Sequence, residues 1–231
     1  MEINQKMLAA KEKFLGTLQR GRCGCRICES TASAKNKLMS KFRPQEERDR
    51  LPPGQKLTKG FPVLDLGIHP PFDPATWTFR VEGEVETPMT WTWEEFKQLP
   101  KMEQLSDFHC VTTWSKFDVR WGGVKLRTVA ELVHPKQTAH FVIAHCADGG
   151  YTTNIPIDEA LDDDVLLAYE LDGQPLPIEH GGPMRLVVPK LYAWKSAKFL
   201  RALCFTERDE PGFWETRGYH NHADPWKEER H

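Results

Sequence analysis

Cys110 stands in the stretch "SDFHCVTTWS", with His109, Thr112, Thr113 and Ser115 close by. Polar neighbours are an unusual setting for a cysteine serving only as a small hydrophobe. A thiolate there could bind a soft or high-valent metal, because sulfur donates charge well and loses its proton on coordination. It could equally act as a nucleophile with His109 or His145 as its base. Residue type and neighbours leave core residue, metal ligand and nucleophile all open.

A second constellation, "HGGPMRLVVPKLYAWKSAKFLR", occupies residues 180–201. Gly181, Gly182 and Pro183 predict a tight turn before a strand. Arg185, Lys190, Lys195 and Lys198 then place four cations within fourteen residues, and Ser196 adds a hydroxyl. A guanidinium fork, ammonium charges and a backbone nest suit phosphate oxygens, although a solvated basic face has the same composition. Cys23, Cys25 and Cys28 fall within six residues and could clip zinc, but no fourth ligand stands near them. His220 and His222 would face one way on a strand, again with no companion ligand set by spacing. The chain carries no dinucleotide fingerprint, Walker A loop, nucleophile elbow or HExxH motif, so nucleotide-binding and hydrolase classes find no support.

Short elements must position these groups. "WTFRVEGEV" alternates like a strand, and "TWTWEEFKQLP" is a short helix between a capping threonine and a proline. "QLSDFHCV" predicts a strand that delivers Cys110 at its end, and "RTVAELVHP" a helix stopped by Pro135. "AHFVIAHC", "YTTNIPI", "VLLAYELDG", "MRLVVP" and "SAKFLRALCFTE" read as further strands. Many short strands with scattered short helices indicate an α+β class with a β-rich mixed-sheet core.

Upstream, residues 3–19 read as an amphipathic helix, with Met7, Leu8, Phe14 and Leu18 roughly on one stripe. The segment closing at "RLPPGQKLTKG" is polar and basic, giving an N-terminal arm over 1–55 and a main domain over 56–231. The arm holds twelve Lys and Arg against six Asp and Glu, while the rest of the chain is net negative by eight. A solvated arm, a docking segment for an acidic partner and a transit peptide all fit that balance. The whole chain, at 231 residues, is 39% apolar and 28% charged with a net charge of −2. No apolar run is long enough to span a bilayer, and no signal-peptide core opens the sequence, so a cytoplasmic protein with reduced thiols and no membrane partner is expected. An acidic domain without a basic-aromatic stripe argues against nucleic acid.

Taken in order, "FPVLDLG", "FDPATWTFRVEGEVETPMTW", "HCVTTWS", "WGGVKL", "YTTNIPI", "HGGPMRLVVPKLYAWKSAKFL" and "PGFWETRGYHNHADPW" resemble the sulfite-oxidase superfamily of molybdopterin enzymes, closest to its small bacterial branch. The resemblance runs from about Phe61 to His231. It implies that Cys110 is the thiolate ligand to molybdenum beside the dithiolene sulfurs of one molybdopterin, and that Trp121-Gly122-Gly123 is a turn leading away from the metal. It also implies that His180, Arg185, Ser196 and Lys198 anchor the pterin, with Leu64, Asp65 and Cys146 at further contact positions. Tyr151 matches the family's active-site tyrosine, and Asp148 would help shape the substrate side.

The expected chemistry is two-electron oxygen-atom transfer on a small molecule, with a sulfoxide reductase or a non-catalytic molybdopterin carrier as alternatives. Sulfite oxidases bind their anion with arginines near molybdenum. Ser115 and Leu64 stand near two of those positions here, so sulfite is not the favoured substrate. The haem module and the dimerisation domain of the family have no counterpart in the sequence, which implies a separate electron-transfer partner or diffusible carrier and a monomer.

Overall fold

The computed structural model describes residues 49–231; the expected helix over 3–19 and the thiols Cys23, Cys25 and Cys28 lie outside them. In chain order the elements begin with β1 (Lys56–Leu57), β2 (Thr78–Gly83), β3 (Met89–Thr92), helix α1 (Trp93–Lys97), β4 (Lys101–Cys110) and β5 (Trp114–Lys125). Helix α2 (Leu126–Val133), β6 (Phe141–Cys146), β7 (Thr152–Pro156), α3 (Ile157–Ala160), β8 (Leu166–Leu171), β9 (Gln174–Pro175), β10 (Arg185–Val187) and β11 (Leu200–Thr206) follow. Helix α1 starts where its capping box predicts: Glu95 N–H donates to the Thr92 hydroxyl, and Thr92 N–H donates to the Glu95 carboxylate.

Two mixed sheets result. One runs β1-β5-β8-β10, with β4 added to β5 and β9 to β8; the other runs β3-β2-β11-β6-β7. The pairings β1–β5 and β11–β2 are parallel, the rest antiparallel. The apolar run of β8 explains the layering. Leu167 and Tyr169 enter the large core with Phe79, Val142 and Leu203, while Leu166 and Ala168 enter a second cluster with Phe108, Trp121 and Val187. A strand buried on both faces has no polar side to alternate with.

Trp121-Gly122-Gly123 is not a turn. The triplet lies inside β5, and its glycines sit at a register shift against β8. A Cβ on Gly123 would come within 2.2 Å of the Leu167 carbonyl oxygen. The glycine permits close approach of two backbones rather than a change of direction. The last expected strand also begins later than its sequence suggests, at Leu200, because residues 196–199 are irregular and 196–198 line the cleft described below.

Candidate active site

Strand β4 is exposed along its outer half and buried at its inner end, where Phe108, His109 and Cys110 lie. A tight turn follows, with Thr113 in the left-handed region (φ 74°) and its N–H donating to the Cys110 carbonyl at 3.0 Å. Three distant segments hold this turn. Gln55 Nε2 donates to Cys110 O at 3.1 Å, Ala193 N to His109 O at 2.8 Å, and Arg230 Nη1 to Val111 O at 2.6 Å. The thiol therefore sits at a fixed point on a rigid element, facing a cleft that encloses about 810 Å³ of empty space, open solvent at its mouth included.

Of the residues that the family resemblance placed at the site, all except Cys146 line this cleft. Cys110, Asp148 and Tyr151 do so together with Leu64 and Asp65, and so do His180, Arg185, Ser196 and Lys198. Cys146, at the end of β6, is partly buried outside the lining, and desolvation pushes its thiol well above the ordinary value.

Among the described residues the Cys110 thiol finds its hydrogen-bond partner in Thr112, whose Oγ1 lies 3.1 Å away and whose backbone also contributes. Burial raises its pKa, partly offset by Thr112 and by the charges of Arg230 and Lys198. Neither candidate base serves it. His109 points the other way and bonds Ser115 Oγ at 2.8 Å, with desolvation lowering it to about 4; His145 is exposed. A buried thiol without a base is a poor nucleophile but becomes a thiolate on meeting a metal.

At the other side of the cleft, Arg185 is 2% exposed. Its guanidinium donates to the carbonyls of His180 (2.8 Å) and Ser196 (2.6 Å) and lies over Phe108 and Trp121. Desolvation lowers it to about 10, and among the described residues no carboxylate pairs with it. Lys198 donates to Glu179 O at 2.6 Å and lies 3.5 Å from Asp65; desolvation, then the Arg185 charge, lowers it to about 8. Gly181 (φ 103°) makes room here, since a Cβ would meet Lys198 Cγ at 2.8 Å. Burial would raise the Asp65 carboxyl, but His69, the Gly67 N–H and Lys198 outweigh it and hold it below its ordinary value. His180 stacks on Phe61 at 4.5 Å and is lowered by desolvation and by both cations. Ser196 Oγ accepts from Val188 N at 2.9 Å.

The other two cations of the 180–201 stretch serve elsewhere. Lys190 pairs with Asp162 at the surface. Lys195 is fully buried, 2.7 Å from Glu215 Oε1 and 2.8 Å from Asn154 Oδ1. The same Glu215 oxygen takes the Trp194 indole N–H at 3.0 Å, so the pair fixes one wall of the cleft. His220 and His222 are not on a strand; His222 lies between Glu159 and Glu229, and among the described residues no group of His, Cys, Asp and Glu is arranged to hold a metal ion.

Two polar atoms of the lining are orphaned. Asp148 Oδ1 and Tyr219 Oη are buried with no hydrogen-bond partner among the described residues. Each such group costs on the order of 1–3 kcal/mol. Desolvation pushes Asp148 up to about 7. Tyr219, with Trp114, Trp194 and Trp214, gives the cleft an aromatic wall that motif spacing does not reveal. The signal in the sequence was the aromatic density of "FWETRGY".

Comparisons with known proteins agree with one another. Residues 66–214 match the family described as "Oxidoreductase molybdopterin binding domain". The chain is 46% identical over 191 residues to "Uncharacterized oxidoreductase YuiH" of Bacillus subtilis, covering 82% of this chain and 96% of that protein. It is 31% identical over 161 residues to the protein-methionine-sulfoxide reductase catalytic subunit MsrP of Campylobacter jejuni, covering 63% of this chain and 54% of that one. It thus spans about half the length of that relative. The sulfane dehydrogenase SoxCD of Paracoccus pantotrophus shares the fold, with a TM-score of 0.57 at 22% identity over 68% of this chain and 46% of that chain.

Proposed function

Since the chain belongs to the oxidoreductase molybdopterin-binding domain family and is a molybdopterin-dependent oxidoreductase, we propose that it transfers an oxygen atom, with two electrons, to or from an uncharged small molecule held beside Cys110. The residues present fit the cofactor. Cys110 is a buried thiol lacking a base, and a soft metal would take it as thiolate. Arg185 is a buried cation with no carboxylate, and Lys198 stands in the same lining; a phosphate would complete both. The orphaned Asp148 oxygen, electrostatically coupled to Lys198 and Asp65, would accept from N–H groups of a pterin.

When bound, the cofactor supplies the two-electron redox couple. The chain's own residues supply the rest. Cys110 fixes the metal on a turn pinned from three sides. His180, Arg185, Ser196 and Lys198 hold and orient the pterin and its phosphate. Trp114, Trp194, Trp214 and Tyr219 exclude water and offer an apolar surface to the substrate. A separate electron-transfer protein or a diffusible carrier exchanges electrons with this domain.

One observation carries the choice of substrate class. Arg185 and Lys198, the Arg and Lys of the lining, are both engaged with carbonyls and Asp65 on the anchor side. Ser115 is fully buried against His109, and Leu64 brings an apolar side chain to the mouth. Among the described residues the lining offers a sulfite anion no guanidinium but that of Arg185, while Arg230, whose charge reaches Cys110, lies outside the lining and donates to the Val111 carbonyl. Loss of two charged hydrogen bonds costs an anion about 3–6 kcal/mol. Reduction of a sulfoxide is favoured as the direction, because relatives of this chain bear the name protein-methionine-sulfoxide reductase.

The test uses wild type and Cys110→Ala from a host that makes molybdopterin, with metal measured by mass spectrometry. About one molybdenum per wild-type chain, falling in the variant, and sulfoxide reduction faster than sulfite oxidation are expected. A wild type without molybdenum, or one that prefers sulfite, would overturn the proposal.

A further inference from the structure

Polar residues surround Cys110 in the sequence, and the fold gives each a different task. His109 and Ser115 bond each other at 2.8 Å, and Thr113 supplies the left-handed residue of the turn (φ 74°). Thr112 faces the sulfur. Among the described residues its hydroxyl has Cys110 Sγ as its hydrogen-bond partner, 3.1 Å away, and its backbone contributes to the same sulfur. Thr112 lies outside the lining of the cleft, so it reaches a bound substrate only through that sulfur. The contact is set in advance. Thr113 N–H and Gln55 Nε2 donate to the Cys110 carbonyl and Arg230 Nη1 to that of Val111, so the chain is pinned on both sides of Thr112. A β-branched side chain on such a backbone has few rotamers to choose from.

Between a thiol and a hydroxyl either group can donate, but a thiolate has no proton and only accepts. We propose that Thr112 is a positioning residue for the redox centre: its hydroxyl donates to the Cys110 thiolate, orients the sulfur and raises the potential at which the bound metal takes up electrons. The assignment rests on Cys110 as the metal's ligand, proposed above. The sign follows from charge. A donor hydrogen at the sulfur draws electron density away from the metal, and a less electron-rich sulfur supports the higher oxidation state less well. Outer partners of this kind orient a metal's ligands and tune the metal. Arg230 and Lys198 act on the same sulfur through their charge, whereas Thr112 alone, among the described residues, bonds it.

The experiment compares wild type, Thr112→Val, Thr112→Ser and Cys110→Ala as full-length protein from a host that makes molybdopterin. Readouts are bound molybdenum, melting temperature, the sulfur-to-molybdenum charge-transfer absorption, and midpoint potentials from a redox titration followed by electron paramagnetic resonance. Thr112→Val keeps the branched shape without the hydroxyl and should keep its metal and melting temperature. Its balance of oxidised over reduced metal should shift about tenfold towards oxidised, a fall of about 59 mV for one electron. Its charge-transfer band should move to longer wavelength, because an unbonded sulfur gives up its electrons more easily. Thr112→Ser restores the hydroxyl and should restore both signals. Thr112→Ala repeats the measurement if the valine methyl displaces the metal. Potentials and absorption unchanged without the hydroxyl, or a serine variant shifted as far as the valine one, overturn the assignment alone. Molybdenum retained in full by Cys110→Ala overturns the ligand reading, and the role of Thr112 falls with it.

Discussion

Asp148 carries a carboxyl group into the cleft and finds no donor there beyond its own backbone. Desolvation lifts it to about 7, so the folded chain holds a proton that the unfolded chain releases near the ordinary value of 3.8. The sign follows from linkage. Stability is greatest below the unfolded value and is lost as pH rises from about 4 towards 7. Asp148→Asn removes that loss. In protein from a host that makes no molybdopterin, denaturant titration should find the variant more stable by roughly 3 kcal/mol at pH 8 and nearly equal at pH 4. Equal stability at pH 8 would mean that the carboxylate is paired. That Cys110, His180, Arg185, Ser196 and Lys198 belong together, as they do in the cleft, was legible from sequence in the order of their motifs. The Tyr219 orphan was not, because lacking a partner is a property of the assembled cleft.

At the scale of elements, hydrophobic patterning located β2, β4, β6, β7, β8, β10 and β11 but missed the long β5 along with β1, β3 and β9, and the capping box located α1. It failed where the partner is distant in sequence. Gly122 and Gly123 look like punctuation, yet β5 runs straight through them, and only Leu167 of β8 explains the missing side chain. The four cations at 185–198 look like one cluster, but the chain turns between them and sends Lys195 into the core and Lys190 to solvent. Gly123→Ala tests the first point. Its Cβ would press on the Leu167 carbonyl in a buried sheet, costing about 3 kcal/mol, and a fall in melting temperature would measure it. Gly173→Ala, at an open turn with φ 74°, has no such neighbour and should cost only about 1 kcal/mol of backbone strain. Equal losses would refute a close-approach role for Gly123.

Over the whole molecule, both ends of the described chain converge on the turn that presents Cys110. Gln55 reaches its carbonyl from the N-terminal side, and Arg230 reaches the Val111 carbonyl from the C-terminal side. The C-terminal segment is tied down in turn by His222, whose Nδ1 contacts Glu229 at 2.8 Å and whose Nε2 contacts Glu159 of α3 at 2.5 Å. His220 also faces Glu229, and Lys227 pairs with Asp224 nearby. Burial alone would lower the His222 pKa, but the hydrogen bonds to Glu159 and Glu229 outweigh it and the net shift is upward from 6.5. A raised histidine stabilises fully below its unfolded value, and that contribution disappears as pH climbs through the folded one. Between wild type and His222→Gln, the stability gap should therefore be widest near pH 6 and shrink steadily above about 6.5. Denaturation midpoints of both proteins from pH 6 to 9 check this, with the variant's own slope subtracting the contribution of Asp148. A gap that stays constant with pH would show that His222 acts by shape alone, and that charge has no part in holding the C-terminal segment against the turn that carries Cys110.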